Sequence, residues 1–180
     1  MLRLAILRHA EALPLTGAGD LERSLSPAGR DMAERMGRYF RATKLQPELA
    51  LVSPAQRTRE TFDGLEQGAK EKFKVDIVPA LYGATYETLT AILAEVPKEV
   101  KFLLLIGHNP GFAELANALA GKGKKSELAK MREHFPTPCL ALIDFDVKSW
   151  TKAVSGHGRL ELFLTRAALT KAVPKDDSGI

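Results

Sequence analysis

The sequence predicts a three-layer α/β/α sandwich built around a mostly parallel β-sheet. Six short apolar runs of strand type are separated, over most of the chain, by segments whose apolar residues recur at the three- and four-residue spacing of amphipathic helices. Strands that alternate with helices in this way are typical of a parallel sheet covered on both faces. With 180 residues, of which 45% are hydrophobic, the chain is long enough for one buried core, so we expect one domain over residues 1–172.

The strand-like runs are rich in Leu, Ile, Val and Phe. They are Leu2–Leu7, Leu49–Val52, Phe73–Val78, Phe102–Ile106, Cys139–Phe145 and Leu160–Leu164. The last two runs are joined by Trp150–Gly158, which shows no clear helical pattern. We therefore expect these two strands to form an antiparallel hairpin at one edge of the sheet.

Four helices are expected between the strands, and each start carries a proline or a capping residue. The first begins at Pro27. The second is expected to begin at Ser53-Pro54, with the serine as N-cap and the proline at the first helical position. Thr85 is expected to cap the third helix. Pro110-Gly111 opens the fourth, which Gly121 is expected to end.

The composition limits the class of protein. A single cysteine, Cys139, excludes an internal disulfide framework, and no segment approaches the roughly 20 apolar residues of a membrane-spanning helix. The net charge of +4 is mild, and its one basic cluster, Lys122–Lys125, is expected to be a solvated loop rather than a nucleic-acid site. Residues 173–180 are expected to form a disordered tail. We expect a cytoplasmic protein without membrane or nucleic-acid partners.

Four residues suited to phosphate chemistry lie where strands end. Arg8 and His9 follow the first strand, His108 follows a later one, and Arg57 lies in the first turn of the helix expected at Ser53-Pro54. Because the carboxyl ends of parallel strands meet at one edge of a sheet, and ligands bind there, we expect these side chains to lie close together. Arginine binds phosphate oxygens through paired hydrogen bonds, and an imidazole is able to attack phosphorus. The sequence therefore predicts a phosphoryl-transfer site.

A zinc site is the alternative interpretation, with His9 and His108 as ligands. Two guanidinium groups beside a dication are unfavourable, and no third ligand stands at a characteristic spacing. We therefore expect neither a metal nor another cofactor. His134 and His157 are interpreted as a helix-end residue and a turn residue, and neither is given a role.

Four blocks of the sequence carry a further signal. They are Leu7–Ala10, Asp20–Gly29, Ser53–Thr61 and Gly107–Pro110. In this order they resemble the histidine phosphatase superfamily, which has the phosphoglycerate-mutase-like fold, and within it the short bacterial phosphohistidine phosphatases. Arg-His alone is a weak motif, whereas the four blocks together are specific, and the resemblance extends over residues 1–166.

The resemblance implies a role for each of the four residues. His9 would be the nucleophile that becomes transiently phosphorylated, and Arg8, Arg57 and His108 would bind the phosphoryl group. Fixed cations and donors around a phosphoryl group usually supply the largest catalytic contribution, so the implied roles agree with the physical argument. Ala10 stands where many members have glycine, which fits the short bacterial branch.

The general acid is left open by the sequence. Many members of the family carry a catalytic glutamate after the third strand, but Val78–Glu87 has no acidic residue at the position expected for it. Glu11, Asp20 and Glu87 are the candidates. Glu87 is expected to be a solvent-exposed helical residue.

The function predicted from these observations is a metal-independent phosphatase that works through a phosphohistidine intermediate on His9. The favoured partner is a phosphorylated protein, such as a histidine phosphotransfer domain. The reason is that the segment between Tyr86 and His108 is too short to form a large specificity cap. The first alternative is a phosphatase of small phosphorylated metabolites. The second is a module that binds phosphorylated ligands without turnover, although binding alone needs no nucleophile.

Overall fold

A seven-stranded mixed sheet forms the centre of the computed structural model, which describes residues 1–15, 17, 19–155 and 157–173. The strands are β1 (Leu2–Arg8), β2 (Leu49–Val52), β3 (Val75–Ile77), β4 (Phe102–Gly107), β5 (Ala120–Gly123), β6 (Cys139–Phe145) and β7 (Gly158–Thr165). Their order across the sheet is β3-β2-β4-β1-β6-β7-β5.

Helices cover both faces of this sheet. They are α1 (Pro27–Thr43), α2 (Gln56–Ala69), α3 (Tyr86–Ala94), α4 (Gly111–Leu119), α5 (Lys125–Glu133), α6 (Trp150–Val154) and α7 (Arg166–Ala172), with a short 3₁₀ helix at Pro79–Leu81. Alternate residues of β1 enter different cores: Leu4 and Ile6 pack with α3 to α6, whereas Ala5 and Leu7 pack with α1, α2 and α7. The predicted three-layer α/β/α sandwich is therefore confirmed.

Two helix starts follow the predicted capping. The hydroxyl of Ser26 accepts a hydrogen bond from the Gly29 amide (3.0 Å), and Pro27 opens α1 directly after it. The hydroxyl of Thr85 likewise accepts from the Thr88 amide (3.3 Å) at the start of α3.

β6 and β7 pair antiparallel as predicted, but helix α6 (Trp150–Val154) lies in their connection, where no helix was expected, and the strands lie elsewhere in the sheet. β6 runs antiparallel to both β7 and β1, so it occupies an interior position instead of an edge. The edge beyond β7 is formed by β5, which pairs in parallel with β7. Lys122 and Gly123, expected in a loop, belong to this strand, and α4 ends at Leu119 before it. An edge strand that is exposed and polar lacks the apolar pattern by which strands are recognised, so only its pairing with β7 reveals it.

One further boundary differs from expectation, and one expectation lies outside the described residues. The third strand is limited to Val75–Ile77, because only these residues pair with β2. The expected disordered tail lies, from residue 174 onward, outside the described residues. Across the part of the chain that the structure covers, none of the helices is both long and apolar enough to cross a membrane.

Candidate active site

The register of the central strands brings the predicted site residues to one edge of the sheet. β1 and β4 are parallel, with Arg8 opposite Gly107, and β2 and β4 are parallel, with Val52 opposite Ile106. The residues that follow these strands are His9, His108 and Ser53. They are therefore neighbours at the carboxyl end of the sheet, where α/β proteins bind ligands.

The ring of His9 is held in one orientation by the backbone. Its Nδ1 lies 2.7 Å from the carbonyl oxygen of Ala10, and a carbonyl only accepts, so Nδ1 carries the proton and Nε2 has the free lone pair. Nε2 lies 3.3 Å from Nε of Arg57. Burial, together with the charges of Arg57 and Arg8, lowers the pKa of His9 from 6.5 to about 4. His9 is therefore neutral near pH 7, with Nε2 available for attack on an electrophile.

His108 faces His9 across the site. The two ring centroids are 5.3 Å apart, and each histidine is only 9% exposed. Nε2 of His108 lies 2.7 Å from the hydroxyl of Ser53, and Nδ1 lies 3.3 Å from Nη2 of Arg57. Burial, followed by the charges of Arg57 and His9, lowers the pKa of His108 from 6.5 to about 3. The residue before His108 has to be glycine, because a Cβ atom at position 107 would lie 2.3 Å from the Phe112 ring and clash with it.

Arg57 is the centre of the hydrogen-bond network. Its side chain contacts both histidines, and its two terminal nitrogens donate to Asp20, Nη1 to the carbonyl oxygen (2.7 Å) and Nη2 to Oδ2 (2.9 Å). The hydroxyl of Tyr82 donates to the same Oδ2 (2.7 Å). Hydrogen bonds from Tyr82, Arg23 and Arg57 hold the pKa of Asp20 well below its usual range. Asp20 is therefore an ionised partner that orients Arg57.

Arg8 is the last residue of β1 and directly precedes His9. Its Nη1 donates to the carbonyl oxygen of Phe135 (2.7 Å), which also accepts from Nδ2 of Asn109 (3.0 Å). Among the described residues, Nε of Arg8 is buried without a hydrogen-bond partner. The charge of Arg8 contributes to the lowered pKa of both His9 and His108. A donor without a partner beside two neutral imidazoles favours an anionic ligand here.

The other candidate acids are engaged elsewhere. Glu11 accepts from the Ser26 hydroxyl (2.7 Å) and from Nη1 of Arg166 (2.9 Å), and these contacts lower its pKa. Glu87 is exposed in the first turn of α3, as predicted, and backbone and Thr85 hydrogen bonds lower its pKa. Each of these carboxyl groups is therefore stabilised in its ionised form.

The structure corrects one helix start and adds site residues. Ser53 is not the N-cap of α2, which begins at Gln56 with Ala55 at the capping position. The reason is that its hydroxyl is hydrogen-bonded to His108. Tyr82 was not among the predicted site residues, because its contact with Asp20 spans 62 residues of the chain and no local pattern indicates it. Within the described residues, no group of three or more His, Cys, Asp or Glu side chains is placed to hold a metal ion.

Comparisons with known proteins identify the family and the fold. Residues 4–102 match the model of the histidine phosphatase superfamily (branch 1). An uncharacterised protein of Mycobacterium tuberculosis is 31% identical over 139 residues, which cover 76% of this chain and 85% of that protein. The structure of a proposed phosphohistidine phosphatase SixA from Agrobacterium tumefaciens superposes with a TM-score of 0.77 at 29% identity, covering 91% of this chain and 97% of that one.

A second SixA structure shares the fold at lower identity. The protein from Nakamurella multipartitia superposes with a TM-score of 0.78 at 22% identity, covering 91% of this chain and 95% of that one. The chain belongs to the histidine phosphatase superfamily. Its three-layer fold is the phosphoglycerate-mutase-like fold of that family, and it resembles the SixA-like branch.

Proposed function

We propose that this protein is a phosphohistidine phosphatase that transfers a phosphoryl group first to Nε2 of His9 and then to water. In the first step the bond between phosphorus and the leaving group breaks as the bond to Nε2 forms. In the second step water attacks the same phosphorus, inorganic phosphate leaves and neutral His9 is restored. The family to which the chain belongs supports the phosphatase class.

The observation that carries the proposal is the fixed tautomer of His9. The hydrogen bond from Nδ1 to the Ala10 carbonyl leaves Nε2 unprotonated, with only a long hydrogen bond from Nε of Arg57 (3.3 Å), and the lowered pKa keeps the ring neutral. Positive charge develops on the imidazole ring as the bond to phosphorus forms. Because the Ala10 carbonyl accepts the Nδ1 proton, it stabilises this charge. A binding module without turnover has no need of a nucleophile prepared in this way.

The remaining residues supply positive charge and donors for the phosphoryl oxygens. Arg57 lies against Nε2 of His9, and Nε of Arg8 has no hydrogen-bond partner within the described part of the chain. His108 presents a second imidazole 5.3 Å from the first. We propose that Arg8, Arg57 and His108 bind the phosphoryl group and that the two arginines neutralise its charge, as a metal ion does in other phosphatases.

The surroundings of the site favour a phosphorylated protein as substrate. The segment between Tyr86 and His108 contains α3 and β4, so a large cap over the site does not arise from it. Leu13 and Leu21 lie on the loop that carries Asp20, and they are 41% and 40% exposed, as is Tyr82 at 41%. Exposed apolar side chains beside a polar site are suited to contact with another protein surface.

The leaving group is the second argument for phosphohistidine. The alkoxide that leaves from a phosphoserine ester needs a placed proton donor, which typically accelerates the reaction by about 10²- to 10⁴-fold. The three candidate carboxyl groups are all stabilised as anions. An imidazole leaving group, with a pKa of about 6.5, takes a proton from solvent near neutral pH. Phosphohistidine therefore suits this site better than phosphoserine.

The test is turnover and phosphoenzyme trapping in His9→Ala. The wild-type protein should hydrolyse phosphohistidine and an aryl phosphate, and rapid acid-free quenching should trap a phosphorylated, acid-labile His9. His9→Ala should lose about 10⁴-fold or more in kcat, since the covalent route is lost. The exposed His134→Ala is the matched control and should keep full activity. Near-normal turnover by folded His9→Ala would exclude the covalent mechanism, and phosphate binding without turnover in the wild type would favour a binding module.

A further inference from the structure

The contact between Ser53 and His108 has no explanation in the packing of the backbone. The Ser53 amide donates to the Ile106 carbonyl (3.0 Å), and its carbonyl accepts from the Thr58 hydroxyl (2.7 Å). The backbone of Ser53 is therefore already hydrogen-bonded without its side chain. The hydroxyl does not cap α2 either, and it is fully buried against Nε2 of His108.

The position of the proton on His108 matters for binding a phosphoryl group. Nδ1 is the nitrogen that faces Arg57, and arginine only donates. In the free protein Nδ1 therefore accepts, and the single ring proton lies on Nε2, from which it is donated to Ser53 Oγ. A phosphoryl oxygen only accepts, so when one replaces Arg57 as the partner of Nδ1, Nδ1 must carry the proton instead.

We propose that Ser53 is a positioning residue that allows His108 to change its tautomer when a phosphoryl group binds. A hydroxyl both donates and accepts. Ser53 accepts from Nε2–H in the free protein, and its hydroxyl rotates to donate to Nε2 when Nδ1–H donates to the phosphoryl oxygen. The ring stays neutral, because Nε2 releases one proton to solvent as Nδ1 takes one proton from solvent, so the number of protons on the ring is unchanged. This inference rests on the proposed function, since it assigns His108 to the phosphoryl site.

Only a residue of this chemistry serves both states. A carbonyl or a carboxylate at the same place would hold the proton on Nε2, and an ammonium group would hold it on Nδ1. The other groups near the ring are His9, Arg57, Arg8, Asp20 and Tyr82. Of these, the nearby Asp20 charge acts to raise the pKa of His108, against the larger effects of burial and of the positive charges. These groups favour the neutral ring. The group that faces Nδ1 then determines which nitrogen carries the proton, and Ser53 forms a hydrogen bond with Nε2 in either tautomer.

The direct test is the ring nitrogen spectrum of His108 in the whole protein at pH 7.5. Nitrogen-15 shifts distinguish the two neutral tautomers and the cation, and loss of the signal in His108→Gln assigns it. We expect the Nε2–H tautomer in the free protein and the neutral Nδ1–H tautomer when orthovanadate is bound. A doubly protonated ring in the vanadate complex would overturn the proposal, as would an unchanged Nε2–H tautomer. Both spectra, of the free and of the vanadate-bound protein, keep Ser53 in place, so the test does not depend on whether a Ser53 variant folds.

Kinetics give a second, independent test. With an aryl phosphate, Ser53→Ala should lower kcat/KM by about 10- to 100-fold, as does removal of groups that orient a ligating histidine. If Ser53 acts through His108, Ser53→Ala combined with His108→Ala should be no worse than His108→Ala alone. If the loss of kcat/KM in the double variant equals the product of the two single losses, Ser53 acts independently of His108, and the proposal is overturned.

The control variant removes another buried serine hydroxyl. Ser26→Ala deletes the N-cap of α1, which touches neither histidine, and should leave kcat/KM and the His108 tautomers unchanged. A wild-type protein that neither binds vanadate nor hydrolyses phosphate would contradict the proposed function itself. A working phosphatase whose His108 keeps one tautomer would contradict only the role of Ser53.

Discussion

Acid should destabilise this protein through the two buried histidines of the site. The pKa of His9 is lowered to about 4 and that of His108 to about 3, whereas both rings have a pKa near 6.5 in an unfolded chain. Below pH 6.5 the unfolded state therefore binds more protons than the folded state. Stability is complete above pH 6.5 and is lost as the pH falls toward the folded pKa values.

The size of the loss follows from the same shifts. Each excluded proton costs about 1.4 kcal/mol per pH unit once the unfolded ring is protonated, so between pH 8 and 5 each ring costs about 2 kcal/mol and the pair about 4 kcal/mol. A typical domain is stable by only about 5–15 kcal/mol, so this is a large fraction. Asp20 and Glu11, whose pKa values are lowered, lose their native contacts at lower pH and contribute little in this range.

The assay is urea unfolding at pH 8, 6.5 and 5 in a buffer without phosphate, because a bound anion would change the pKa of both rings. His9→Gln and His108→Gln should each remove about half of the acid loss, whereas the exposed His134→Gln should leave it unchanged. Burial raises the pKa of Asp63, which acts in the opposite direction but is common to all variants. The reasoning would be refuted if the free energy of unfolding of the wild type were the same from pH 8 to 5. It would also be refuted if His9→Gln and His108→Gln lost as much stability in acid as the wild type.

Three further predictions concern catalysis. Arg57→Lys and Arg8→Lys should each weaken vanadate binding and lower kcat/KM by about 10²-fold, since an ammonium group lacks the guanidinium fork; wild-type activity in Arg57→Lys would reduce Arg57 to a general source of charge. Activity should be unchanged after dialysis against EDTA, because Arg8 and Arg57 neutralise the phosphoryl charge, and recovery of lost activity by a divalent ion would favour the metal alternative. In matched peptides kcat/KM should be higher for phosphohistidine than for phosphoserine, with aryl phosphates between them; equal or faster hydrolysis of the serine ester would show that a competent proton donor exists.

Much of the fold is encoded in local patterns. The bounds of β2 and β6 were predicted to the residue, since both are apolar and lie inside the sheet. The edge strands were predicted less well. β3 is shorter than its apolar run, and β5 has almost no apolar residues, because an edge strand needs one paired neighbour and leaves much of its surface to water.

The sequence by itself determined which side chains stand at the strand ends. Arg8, His9 and His108 each follow a long apolar run, and a parallel sheet collects such ends at one edge. Only the tertiary structure decided which nitrogen of each histidine is free and that Ser53 faces His108 across 55 residues of chain. Tautomers and pKa values depend on burial and on distances of a few ångströms between segments that are remote in sequence, and no local pattern encodes those distances.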